Sequence, residues 1–142
     1  MTKRLLLLLL LVGSLLVAAC GGDEGSEAAA DGGRAECTTE LPSAADVPDL
    51  PSDFPVPGEV LLTGSSQAGP SLIVEGYFQA DLDEAFPEYK DAFESAGWDV
   101  TKDEQEEDDA EIFFAHGDTN GEVAMFGECS GRTKLRITIR PS

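Results

Sequence analysis

The chain has 142 residues, 42% of them hydrophobic and 26% charged, enough for one small domain with a single core. Its formal net charge is -19, and because Lys3 and Arg4 offset part of the acidity, the remainder is more acidic still. Nucleic-acid affinity rests on Lys and Arg neutralising phosphates, and anionic headgroups attract polybasic segments. A body of this charge therefore excludes nucleic acid as a partner and disfavours direct contact with an anionic membrane.

The first predicted element, residues 1–19, combines Lys3 and Arg4 with a leucine run from Leu5 to Leu11 and ends in Val17-Ala18-Ala19 before Cys20 and Gly21-Gly22. A positive end, an apolar middle and small residues at the far end describe a cleaved export signal. A membrane span needs about 20 consecutive apolar residues; this run contains Gly13 and Ser14 and is followed by an acidic, glycine-rich stretch. The tetrad Val17-Ala18-Ala19-Cys20 resembles the lipobox of bacterial lipoproteins, with Val17 in the aliphatic position where leucine is commoner, Ala18 and Ala19 in the small positions, and Cys20 as lipid acceptor. The resemblance implies that Cys20 becomes the N-terminus and carries a diacylglyceryl thioether, often with a further N-acyl chain. It also implies an extracytoplasmic location, on the outer face of the cell membrane or, in a double-membraned cell, in the periplasm or at the outer membrane. Each buried methylene contributes about 0.8 kcal/mol, so two or more chains give stable anchoring.

Residues 20–36 are mostly Gly, Ala, Ser and acid, which predicts a lipidated, solvated tether. Residues 37–57 form a proline-rich segment, with Leu41-Pro42, Val47-Pro48, Leu50-Pro51 and Phe54-Pro55-Val56-Pro57. These prolines forbid both a helix and a central strand, so the segment is predicted to lie extended on the domain. With Cys20 lipidated, Cys37 and Cys129 remain as an even pair outside the cytoplasm, where disulfides persist. Their bond closes a loop of roughly 90 residues, worth roughly 4 to 5 kcal/mol at most in the chain-entropy picture.

The folded domain is predicted over residues 58–142. Glu59 to Thr63 and Ser71 to Phe78 read as strands around a turn-rich stretch from Gly64 to Pro70. In the second strand Leu72, Val74, Gly76 and Phe78 alternate with Ile73, Glu75 and Tyr77. A helix follows: Asp81 is its N-cap, Leu82, Ala85, Phe86, Tyr89, Phe93 and Ala96 form its apolar stripe, and Gly97 is its left-handed terminator. Pro87 predicts a kink or a late start. Trp98 to Lys102 reads as a strand and Asp103 to Asp109 as an acidic turn, followed by a hairpin of Glu111 to His116 and Glu122 to Cys129 around Asp118-Thr119-Asn120-Gly121. Thr133 to Arg140 closes the chain, with Leu135, Ile137 and Ile139 inward and Lys134, Arg136, Thr138 and Arg140 outward. The order ββαββββ predicts an α+β fold, a small antiparallel sheet with one helix packed on one face.

Catalysis requires convergent groups, and these are scarce. His116 is the single histidine, sits at a strand end, and has no nucleophile motif around it, so it reads as an edge residue and the chain as a non-enzyme without a cofactor. Glu106, Asp108 and Asp109 in the acidic turn form the alternative, a Ca²⁺ site, but the ordered aspartate-glycine loop that such sites use is missing. The adjacent pairs Phe113-Phe114 and Met125-Phe126 must each split between the two sheet faces. One helix covers one face, which leaves Ile73, Tyr77 and Phe113 on the other. Residues 41–57 are expected to cover them; uncovered, they would form a binding face. The acidic tether, the small domain and the helix end Ala96-Gly97-Trp98 are similar to the small lipoproteins common in actinobacteria. The expected function is that of a lipid-anchored envelope protein with a non-catalytic domain that binds an envelope protein or peptide; the alternative is a lipoprotein that binds a small molecule or a cation.

Overall fold

A computed structural model describes residues 33–142. The signal segment, Cys20 and the tether up to residue 32 lie outside the described residues. Alternation and turn chemistry together produce six strands: β1 (Val60–Ala68), β2 (Ser71–Phe78), β3 (Asp99–Gln105), β4 (Asp109–His116), β5 (Thr119–Cys129) and β6 (Arg132–Pro141), with one helix, α1 (Leu82–Ser95), between β2 and β3. All neighbours pair antiparallel, in the order β1-β2-β6-β5-β4-β3. The helix packs on one face of this sheet, the inner face.

Period-2 alternation fixes which side chains face inward. Val74, Phe78, Ile112, Phe114, Val123, Met125, Leu135 and Ile137 are fully buried there against Leu82, Ala85, Phe86, Tyr89 and Phe93 of α1. Ala96, which the helical spacing adds to this stripe, is exposed at the C-cap. The helix end forms a Schellman turn around Gly97 at φ 78°: the Trp98 N–H donates to the Phe93 carbonyl at 2.9 Å and the Gly97 N–H to that of Glu94 at 3.1 Å. Phe93 and Trp98 rings then meet at 6.0 Å, the apolar contact that accompanies this turn.

The helix does not start late. It begins at Leu82 and runs through Pro87, because the Glu84 and Ala85 N–H groups already bond the Asp81 carbonyl and the packed Phe86 and Tyr89 hold the turn that lacks the proline's donor. Asp81 is the N-cap residue, but its side chain leaves the helix uncapped and instead accepts from the Gly131 N–H at 2.8 Å, tying the helix start to the β5–β6 turn.

Three turns differ from their sequence signals. All of Gly64 to Ala68 is strand, and the β1–β2 reversal is confined to Gly69-Pro70, with Gly69 at φ 61°. The Asp103 to Asp109 stretch is largely strand as well, leaving only residues 106–108 outside β3 and β4. The β4–β5 hairpin turns at Gly117-Asp118, since His116 pairs with Thr119. Asn120-Gly121 is inside β5 for a packing reason: a Cβ at Gly121 would collide with the Thr138 carbonyl and the Phe114 ring.

The proline-rich segment overturns the expected cover. Val47 and Phe54 join the inner core, with Leu50 packed against it, so the segment is a strap on the same side as the helix and not on the opposite face. Phe54 meets Phe93, Trp98 and Phe114 edge-on at 5.5, 5.2 and 5.4 Å. The reason lies in the two surfaces. An α-helix about 10 Å wide cannot cover six strands spaced about 4.8 Å apart, and the uncovered inner strip is apolar. The outer face alternates with Arg and Glu, whose burial without partners is costly.

Candidate functional site

The described residues leave the outer face of the sheet open at its centre. Successive outward positions alternate with the buried ones, so Ile73 and Tyr77 of β2, Glu111 and Phe113 of β4, and Glu122, Ala124 and Phe126 of β5 share this face with Lys134, Arg136 and Arg140 of β6. The structure thus places Ile73, Tyr77 and Phe113 together on the side where the alternation puts them. Phe126 joins them and is the most exposed large apolar side chain of the described residues, at 47%. Its neighbour Met125 takes the core position, a split that follows from Val123 and Met125 sharing the inward parity.

Charge is distributed unevenly over the domain. Lys102 of β3 and Arg132, Lys134, Arg136 and Arg140 of β6 follow the outward parity, which leaves only Arg34 and Lys90 elsewhere among the described cations. Lys102 lies 5.3 Å from the centre of the Phe113 ring and pairs with Glu104 at 2.9 Å. Arg132 stands over Tyr77 at 6.0 Å and donates to the Thr39 carbonyl at 2.6 Å, so this end of the face is tied to the segment after Cys37. Arg140 approaches Glu122 at 3.8 Å. Lys134 and Arg136 have no ion-pair partner among the described residues.

The centre of the face is a hollow of about 480 Å³, within the range of small-ligand sites. Its floor is Ala124 and Thr138, both buried beneath longer neighbours. Pairing register places Arg136 on one side of Ala124 and Glu111 on the other, with Phe126 and Glu122 two residues away along β5. The outward parity of Arg136 and Arg140 is legible in the alternation of β6, but their convergence with Glu111 and Glu122 depends on strand order, which no local pattern specifies.

The remaining candidate residues are dispersed. Cys37 and Cys129 are disulfide-bonded, with Cα atoms 5.2 Å apart, and the Ser130 N–H donates to the Ala35 carbonyl beside the bridge. Cys20 lies outside the described residues. His116 stacks on Trp98 at 4.7 Å and its Nε2 lies 3.5 Å from Asp53 of the strap, so it links strap to β4. Glu106, Asp108 and Asp109 do not converge: Asp108 pairs with Arg34 at 2.7 Å, and among the described residues no three His, Cys, Asp or Glu side chains are placed to hold a metal ion. Two groups on α1 have displaced titration. A hydrogen bond with Glu59, then desolvation and the repulsion of that carboxylate, raise the Glu88 carboxyl, and burial raises the Tyr89 phenol. Both lie on the helix, across the sheet from the hollow.

Comparison with known proteins adds no assignment: no protein family, curated protein or solved structure matches the chain.

Proposed function

We propose that this chain is a lipid-anchored extracytoplasmic binding module, held through acyl chains on Cys20 and engaging an envelope protein or peptide with its outer sheet face. The observation that carries this reading is the one-sidedness of the cover. Helix and strap both pack on the inner face, while Phe126 stands 47% exposed on the outer one, a face it shares with Ile73, Phe113 and Tyr77. Burying a large aromatic side chain is worth about 1.5–3 kcal/mol, so folding alone would favour cover, and an open aromatic face marks a contact surface. A non-catalytic role fits the distribution of the chemistry, since among the described residues no nucleophile, base and orienting group meet on this face. The acidity of the body leaves the covalent lipid as the hold on the membrane.

The test combines location with contact. The protein and its Cys20→Ser variant are expressed in an exporting bacterium and fractionated; the parent chain sediments with membranes and the variant is released. A photoreactive phenylalanine analogue at position 126 then forms adducts in the native envelope that the same analogue at Glu94, on the exposed side of the helix, does not. Equal labelling from both positions, or membrane retention without Cys20, would refute the reading.

A further inference from the structure

The hollow on the outer face carries opposite charges on opposite sides, and this specifies a ligand chemistry. Ala124 is its centre. Across the strands it is flanked by Arg136 on β6 and Glu111 on β4. Along β5 the next outward residues are Phe126 and Glu122. Adjacent strands are about 4.8 Å apart, so the Arg136 and Glu111 side chains rise from backbones about 10 Å apart, with only a methyl group between them. Neither has an ion-pair partner among the described residues, although Arg140 and Glu122 nearby approach each other at 3.8 Å. A surface that leaves a guanidinium and a carboxylate unpaired on either side of an apolar floor is complementary to a ligand with the reverse arrangement.

We infer that the hollow binds an extended peptide segment of mixed charge, with a carboxylate on Arg136, an ammonium or guanidinium on Glu111, and an apolar side chain over Ala124 beside Phe126. The inference rests on the outer face being the contact surface and names what it contacts. The separation selects a peptide over a single amino acid: in an extended chain residues i, i+2 and i+4 share a face, so charged side chains at i and i+4, about 13 Å apart, straddle the Arg136–Glu111 span with the apolar side chain at i+2 over Ala124, whereas the two charges of one amino acid are much closer. The acids select against a polyanion, because Glu75 lies opposite Arg136 on β2 while Glu111 and Glu122 ring the floor, in a chain of net charge -19. Charge selects against a second copy, since two chains of this net charge repel.

The experiment is an NMR titration of the ¹⁵N-labelled mature chain in detergent with two capped peptides, Glu-Ala-Leu-Ala-Lys and Lys-Ala-Leu-Ala-Glu. All-glutamate and glutamine-substituted versions serve as controls. At least one mixed-charge peptide is expected to shift the amides of Ala124, Phe126 and Arg136 in a saturable manner, and neither control to do so at tenfold higher concentration. Arg136→Glu is expected to weaken binding about tenfold or more, the loss of one charge-assisted contact, with the rest of the spectrum unchanged; Arg136→Gln gives the same loss where the reversal perturbs the strand. Ala124→Leu, which fills the floor, abolishes binding. Tighter binding of the all-glutamate peptide, shifts away from the hollow, or an affinity indifferent to residue 136 would overturn the assignment. Photoadducts from position 126 without binding of either mixed-charge peptide would defeat this inference and leave the outer face as the contact surface; absence of both would defeat the two together.

Discussion

Tyr89 shows what a single residue does inside this core. Its ring is fully buried between Phe78 and Phe93, at 6.4 and 5.5 Å, and its hydroxyl has no hydrogen-bond partner among the described residues. Burial alone raises its titration far above the ordinary tyrosine range. A buried hydroxyl without a partner carries a desolvation penalty of about 1–3 kcal/mol, so Tyr89→Phe is expected to leave stability unchanged or raise it by about 1 kcal/mol. Equilibrium urea unfolding checks this, and a loss larger than about 1 kcal/mol would reveal a bond the hydroxyl makes. The helical spacing of Leu82, Ala85, Phe86, Tyr89 and Phe93 is enough to place this ring in the core. Whether its oxygen finds a partner depends on what packs opposite, which spacing does not contain.

Among the elements, the strap is the one whose place the sequence leaves open. Its prolines predict an extended course, and its Val47, Leu50 and Phe54 predict packing, but the face it takes is set by competition between two surfaces. The inner face offers Phe93, Trp98 and Phe114, while the outer offers aromatic groups interleaved with Glu75, Arg136, Glu111 and Glu122. Phe54→Ala is expected to cost about 3–5 kcal/mol, the usual penalty for emptying a buried aromatic site. Val56→Ala, at a position 38% exposed, should change stability by no more than about 0.5 kcal/mol. The two unfolding midpoints, measured side by side, decide the matter: similar values would mean that the strap does not plug the core. Turns show the same limit. Asn120-Gly121 carries a strong hairpin signal, yet the strands reverse three residues earlier because Phe114 and the Thr138 carbonyl require a residue without a Cβ at position 121.

For the molecule as a whole, the disulfide joins Cys37, at the start of the strap, to the end of β5, across a sequence separation of 92 residues. The same junction is reinforced by Arg34, which donates to the Gly127 carbonyl at 3.0 Å, and by Arg132, which donates to Thr39. Reduction is expected to lower the stability of the domain by about 2–5 kcal/mol. Urea midpoints with and without reductant measure this, and thiol labelling of the exported, unreduced protein should leave Cys37 and Cys129 unmodified. Labelling of both residues, or identical midpoints, would contradict it. The acidity of the chain and the gathering of its cations on β6 and β3 act at this scale too. Long-range repulsion discourages polyanions and self-association, while on the outer face these cations are interleaved with Glu75, Glu111 and Glu122.

The amino-acid sequence by itself determined the order and type of the elements, the alternation of β2 and β6, and the pairing of Cys37 with Cys129. The first two are properties of local periodicity, written in neighbouring residues, and the third is cysteine arithmetic. Strand order, the side taken by the strap, and the meeting of Arg136, Glu111 and Phe126 around Ala124 were decided only in the tertiary structure. The physical reason is that β6 inserts between β2 and β5, bringing together residues that are distant in sequence. A side chain's neighbours across a sheet are set by register and strand order, and those follow from the burial of the whole inner face at once.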